Sequence, residues 1–342
     1  MTNQNTPQNP RRAQRNRQQN ATLLAIAATF VALLLVFAIL LGIGAVRAIR
    51  GDGTPEPDAG LENNDTNQPS DGNDPGGTGN ENQNGGNMQE PPKMISVSSS
   101  TINKGSLVLV NATHVYTFPD ITLVNVYMSQ ATAQTLSKYF QLSGATLFME
   151  QDAYQAMNKM LTAFSEQTGL RDVQLIDAYR SFEQQNGMSS ATKGGYSDHH
   201  TGMTFALNVY KANGKAHDIS TLEEYRWIYD NCYKYGIVPR YPLDKFAQTG
   251  VNNYAECFRY VGYVHAYVMT TKNLCLEEYI PYLQSHTYGD GALKVTTDDG
   301  SSYEIYYVAA TGTTTEVPVP DHGNYTISGD NEGGFIVTVK LS

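Results

Sequence analysis

The chain has 342 residues, 40% of them hydrophobic, with a net charge of −10 and a pI near 5.1. That acidity argues against nucleic acid and anionic wall polymers as electrostatic partners. Cys232, Cys257 and Cys275 are too few for a disulfide framework, and their odd count leaves at least one thiol free.

Residues 1–20 carry Arg11, Arg12, Arg15 and Arg17 and no acidic residue. Residues 21–46 then run without a charge, through Leu23, Ile26, Phe30, Leu33 and Ile39 among others. At about 1.5 Å of helical rise per residue, this stretch crosses a ~30 Å hydrocarbon core. A signal peptide's apolar region is shorter, about 7–15 residues, and is followed by a small-residue cleavage site. Here Ala45-Val46-Arg47 offers bulk and charge instead. The expectation is therefore a single-pass anchor in the cell membrane. Arg47 and Arg50 follow the span but are countered by Asp52, Glu56 and Asp58, so the arginine excess places the N-terminus in the cytoplasm and the body outside.

Residues 47–93 form a linker rich in Gly, Asn, Asp, Pro and Gln. Such a composition buries too little apolar surface to offset ordering entropy, so a disordered tether is expected, with a mean reach on the order of 35–40 Å. Residues 94–342 suffice for one domain of ordinary size and a small appendage.

Within this body, Ala153, Met157, Met160, Leu161 and Phe164 recur at helical spacing and predict a helix over 151–169, terminated by Gly169. Residues 173–179 and 204–210 read as strands. Ser220-Thr221-Leu222-Glu223 has the form of a capping box, opening a helix that bears Leu222, Trp227, Ile228 and Cys232 and ends near Gly236. Trp227 is assigned to the core, and Cys232 and Cys275 are read as small apolar fillers in helices. Further on, 293–297 and 303–308 flank Asp299-Gly300, a hairpin signal, and Phe335, Val337, Val339 and Leu341 alternate as a terminal strand. The expected fold class is α+β: a mixed helix and antiparallel-sheet domain over 94–287 and a small β module over 288–342.

The body also carries five motifs in order. Ser197-Asp198-His199-His200-Thr201-Gly202 leads to Ala206, and Tyr254-Ala255-Glu256-Cys257 leads to Arg259-Tyr260-Val261-Gly262 and His265-Ala266. Between and before them stand Tyr179-Arg180-Ser181 with Gln185, and Trp227 through Tyr235-Gly236 to Arg240-Tyr241-Pro242. Together they resemble VanY-type zinc D-alanyl-D-alanine carboxypeptidases, whose motifs read S-x-H-x-x-G-x-x-x-D, E-x-W-H, G-Y-R-S-x-x-x-Q and R-Y-V-G-x-x-H-A.

The resemblance implies a zinc centre, and the positions that matched residues would fill are altered. His199 stands at the first ligand position, Ala206 at the aspartate ligand, Cys257 at the second histidine and Tyr254 at the catalytic glutamate. A catalytic zinc takes three protein ligands and acidifies a bound water, whose proton a base accepts. Cys257 offers a thiolate donor, but with His199 it makes only two, and His200 should face away if His199 faces in. Tyr254, with a phenol of ordinary pKa near 10, is a poor base. Glu256 should point elsewhere. By the same resemblance Arg180 corresponds to the arginine that holds a substrate's terminal carboxylate, with Ser197 and Gln185 nearby; the competing role for Arg180 is a structural pair with Asp177. His265 is assigned to bracing a loop.

These readings lead to a membrane-anchored, catalytically impaired pseudoenzyme that binds peptidoglycan stem peptides or a cell-wall protein, with no cofactor and no nucleic acid. The alternative is an active zinc D,D- or L,D-carboxypeptidase with a rebuilt metal site. A cysteine hydrolase, with Cys257 close to the His199 ring, and a purely structural wall protein complete the set.

Overall fold

The computed structural model describes residues 92–341 apart from 191, 253 and 322. The expected membrane span at 21–46 and nearly all of the linker lie outside the described residues. Among the described residues no helix is long and apolar enough to cross a membrane.

In chain order, strand β1 (Lys93–Ser98) is followed by β2 (Leu123–Asn125), helix α1 (Val126–Thr132), β3 (Gln141–Leu142) and β4 (Phe148–Glu150). Next come α2 (Gln151–Thr168), β5 (Val173–Asp177), α3 (Phe182–Asn186), β6 (Thr204–Tyr210), β7 (Ala216–Asp218) and α4 (Arg226–Asn231). Then follow β8 (Ile237–Pro239), α5 (Phe246–Thr249), β9 (Cys257–Tyr260), α6 (Tyr263–Thr271) and α7 (Leu276–Gln284). The terminal strands are β10 (Leu293–Thr296), β11 (Ser302–Ala309), β12 (Thr314–Val319), β13 (Tyr325–Gly329) and β14 (Gly334–Lys340).

The central sheet has the order β3-β5-β6-β9-β8, with β7 paired to β6. Only β3 and β5 run parallel within it. Helix α2 forms as its spacing predicts: Glu150 caps its N-terminus through the Asp152 and Ala153 amides, and Gly169 ends it at φ 76°. Its Met157, Met160, Leu161 and Phe164 are buried in one cluster with Leu175, Leu207 and Val209 of the sheet. Each such side chain contributes roughly 1.5–3 kcal/mol by leaving water, so packing fixes this helix more than propensity does.

The capping box expected at 220–223 does not form. Asp218 caps a short 3₁₀ turn there instead, accepting from the Ser220 amide and hydroxyl, and the α-helix begins only at Arg226. An aspartate two residues earlier offers the charged acceptor first, which draws Ser220 away. Trp227 is half-buried against the first cluster, with its indole N–H donating to Gln167 Oε1 at 3.0 Å. Cys232 is a buried filler, and Cys275, equally buried, also precedes α7 as its cap.

The hairpin of β10 and β11 forms with Gly300 at φ 82°. The terminal sheet has the order β10-β11-β14-β13, while β12 pairs antiparallel with β1. Ile305 and Ile336 from this sheet share a buried cluster with Val264, Val268, Tyr279 and Leu283 of α6 and α7. His265 braces the same junction, bonding Tyr279 Oη and Thr338 Oγ1 at 2.9 Å each. Gly236 is required where the α4 segment turns into β8: its φ is 74°, and a Cβ there would meet the Gly262 carbonyl carbon at 2.9 Å.

Candidate active site

Three strands bring the motifs into one row. Asp177 on β5 lies opposite Ala206 on β6, which lies opposite Cys257 on β9. The 3₁₀ turn Asp198–Thr201 precedes β6 and presents His199, while the loop before β9 presents Tyr254.

His199 is 2% exposed. Its Nδ1–H donates to the Ala178 carbonyl at 2.6 Å, which fixes the tautomer and leaves a lone pair on Nε2. Tyr254 Oη lies 2.9 Å from Nε2 and donates to that lone pair. Burial first, then Arg180, pushes the imidazole down to about 4, so the ring is neutral at pH 7. Cys257 Sγ stands 3.9 Å from the same nitrogen, fully buried, with its thiol pushed far up chiefly by burial. Cysteine and histidine are therefore close, as a nucleophilic pair requires, but the sulfur stays protonated and Tyr254 occupies the nitrogen that would take its proton.

Arg180 follows β5. Its Nε donates to Asp177 Oδ2 at 2.8 Å, Nη2 donates to the same oxygen, and Nη1 donates to Gln185 Oε1 at 2.9 Å. Nη2 also reaches Tyr254 Oη at 3.2 Å. Gln185, on α3, is 1% exposed and donates to the Thr192 carbonyl. Ser197 is buried at the start of the 3₁₀ turn and makes no side-chain cap bond. The Tyr254 ring stacks on Tyr241 at 5.8 Å, and its phenol is raised by burial and by Cys257, so it acts as a donor and not as a base. His200 faces away: its Nδ1 donates to the Arg180 carbonyl and its Nε2 accepts from the Gly195 amide. Glu256 is half-buried beside Cys257, its carboxyl raised by burial.

Sequence reasoning missed the charges beneath this centre. Asp198 accepts from Arg259 Nη1 at 2.6 Å and Arg240 Nε at 3.0 Å, all three side chains being fully buried. Arg240 also binds Glu277 through both Nη atoms, and Arg259 and Arg240 bond the carbonyls of Ser106, Val108 and Val110. Burial raises the Asp198 carboxyl, but Arg259 and Arg240 outweigh it and hold it at about 2. Each of the three charges sits in a separate motif, so no local spacing shows that they meet.

A zinc ion does not fit this donor set. Ala206, fully buried in the row, supplies no donor, the His199 lone pair is taken by Tyr254, and Cys257 holds its proton. Asp198, the nearest acid in sequence, is committed to two arginines. Among the described residues no cluster of three or more His, Cys, Asp or Glu stands ready to hold a metal.

The VanY family model, described as D-alanyl-D-alanine carboxypeptidase, matches residues 146–263. A D-alanyl-D-alanine carboxypeptidase of Enterococcus faecium is 30% identical over 249 residues, covering 71% of this chain and 78% of that protein. One from Enterococcus faecalis (strain ATCC 700802 / V583) is 36% identical over 86 residues, 25% of this chain and 30% of that protein. Among solved structures, the vancomycin resistance D,D-dipeptidase VanXYg in complex with a D-Ala-D-Ala phosphinate analog superposes with a TM-score of 0.62 at 24% identity, covering 72% of this chain and 98% of its own. That likeness supports the mixed helix and sheet fold, and the long match to the Enterococcus faecium protein shows the family. The chain belongs to the VanY family of D-alanyl-D-alanine carboxypeptidases.

Proposed function

We propose that the protein is a family member that has given up hydrolysis and kept recognition, binding peptidoglycan stem peptides at the former active site without cleaving them. The carrying observation is the Tyr254 hydroxyl, 2.9 Å from His199 Nε2, where a zinc ion would need the lone pair. Ala206 and Cys257 remove the other two ligands of the family pattern, and no carboxylate replaces the base. Arg180 remains part-exposed at 13% and is held in place by Asp177 and Gln185. Its contact to Tyr254, at 3.2 Å to a neutral hydroxyl, is the weak one, and a ligand carboxylate displacing it gains a charge-assisted bond. A body tethered outside the cell membrane by residues 21–46, through a linker of 47–93, would meet such peptides in the wall.

The test is direct. The purified protein should hold well under one equivalent of zinc and release no D-alanine from a pentapeptide above a no-protein control. A pentapeptide with a free C-terminal carboxylate should bind about tenfold more tightly than its amide, and Arg180→Ala should erase the difference. Stoichiometric zinc lost in His199→Ala, or robust hydrolysis, would establish the rebuilt-site enzyme instead. Equal binding of acid and amide would leave the centre a structural remnant.

A further inference from the structure

A cavity lies apart from the active-site row. It is a trough of about 900 Å³, and it continues through Asp152, Tyr260 and Tyr263 into a hollow of about 240 Å³. The larger volume falls within the ~300–1,000 Å³ typical of ligand sites. None of Arg180, His199, Tyr254 and Cys257 lines either part.

Four tyrosines line the trough: Tyr260 and Tyr263 near the β9–α6 turn, Tyr303 on β11 and Tyr325 on β13. Three rings are anchored from behind, Tyr260 against the cluster under α2, Tyr303 against that of α6 and α7, and Tyr325 against that of the terminal sheet. None of the four hydroxyls finds a hydrogen-bond partner among the described residues, although a half-buried tyrosine usually points its hydroxyl at one. Glu150 and Asp152 stand in the same wall. Glu150 Oε2 caps α2, leaving its other oxygen without a partner among the described residues, and Asp152 is exposed. Burial, then Asp152 and Glu150, pushes the Tyr260 phenol up to about 12, which keeps it a neutral hydroxyl beside two acceptors.

We propose that this trough binds a glycan strand, with sugar rings lying on the tyrosine faces, sugar oxygens bonded by the free tyrosine hydroxyls and sugar hydroxyls donating to Glu150 and Asp152. The polarised C–H faces of a pyranose suit the negative face of an aromatic ring, and carboxylates suit vicinal hydroxyls. Rigid tyrosines supply contact area at small entropic cost. A trough that shares its wall with a second hollow offers a polymer more than one place to lie. The far end of β13 is closed to an added strand, because the Gly329 amide bonds the Lys104 carbonyl and, just beyond β13, the Asn331 amide bonds the Ile102 carbonyl. The inference goes beyond the stem-peptide reading but shares its wall-facing placement.

The experiment mixes the full chain with peptide-free glycan strands released from purified wall by amidase, and separately with free pentapeptide. The full chain should bind the stripped glycan. Tyr260→Phe, Tyr325→Phe and Asp152→Asn together, which keep the ring packing, should weaken it by about tenfold or more, while Arg180→Ala binds as the wild type does. A melting temperature within a few degrees of the wild type verifies the triple variant, and exposed Asp152→Asn alone, expected to weaken binding severalfold, decides the matter if the triple variant fails to fold. No binding to stripped glycan, or binding that these substitutions leave unchanged, would overturn the proposal. Glycan binding without pentapeptide binding would sink only the stem-peptide reading, and the reverse would sink only this one.

Discussion

Replacing Asp198 by Asn should cost this protein much of its stability without removing any group that faces the candidate active site. Among the described residues Asp198 is the only carboxylate shared by Arg240 and Arg259, and all three side chains are fully buried. Asparagine keeps the shape but leaves two buried guanidiniums with Glu277 as the remaining acid, bonded to Arg240 alone. Removing one member of a buried ion pair typically costs ~3–5 kcal/mol, since the survivor stays desolvated and uncompensated. With a urea dependence of about 1–3 kcal/mol per molar, the midpoint should fall by more than about 1 M at pH 7. The pH dependence gives an independent handle. The Asp198 carboxyl is held at about 2 in the fold against an ordinary 3.8, so its contribution is complete above pH ~4 and is lost as pH falls towards 2. Two units correspond to ~2–3 kcal/mol, which the wild type should lose in that window and the Asn variant should not. Urea titrations of both proteins at pH 7 and at several points from pH 5 to 2.5 measure both effects. A midpoint shift below about 0.3 M would refute the view that this pair is what anchors the His199 turn.

Restoring Ala206→Asp, Cys257→His and Tyr254→Glu together should raise zinc content towards one equivalent by elemental analysis, whereas each single change should not, because the ligands act as a unit. His199 is held down to about 4, so its ring resonances should stay those of a neutral imidazole from pH 7.5 to 5; the associated stability is present above pH ~6.5 and is lost as pH falls from there towards 4. Protonation with a midpoint near 6.5 by NMR would contradict the Tyr254–His199 bond. Cys257 should resist a thiol reagent in the native state and react only on unfolding, since it is fully buried with a raised thiol; labelling of native protein at a rate comparable to a free cysteine would show an accessible nucleophile.

The sequence alone determined the family, the helix at 151–168, the strand at 204–210 and the closing hairpin, because apolar spacing and turn residues act over a few positions. It also placed Ala206, Cys257 and Tyr254 at motif positions, since they are read directly against the pattern. Tertiary structure decided what surrounds them. Only the register of β5, β6 and β9 puts Asp177, Ala206 and Cys257 in a row, and only the loop before β9 sends the Tyr254 hydroxyl into His199. The ion cluster of Asp198, Arg240, Arg259 and Glu277 joins residues up to 79 positions apart, so no local pattern could reveal it. The capping box at 220 failed for a related reason: two acceptors competed for Ser220, and the nearby Asp218 carboxylate won. Short-range patterns fix elements, while pairing of buried polar groups is settled only when distant segments meet and each must satisfy the other out of water.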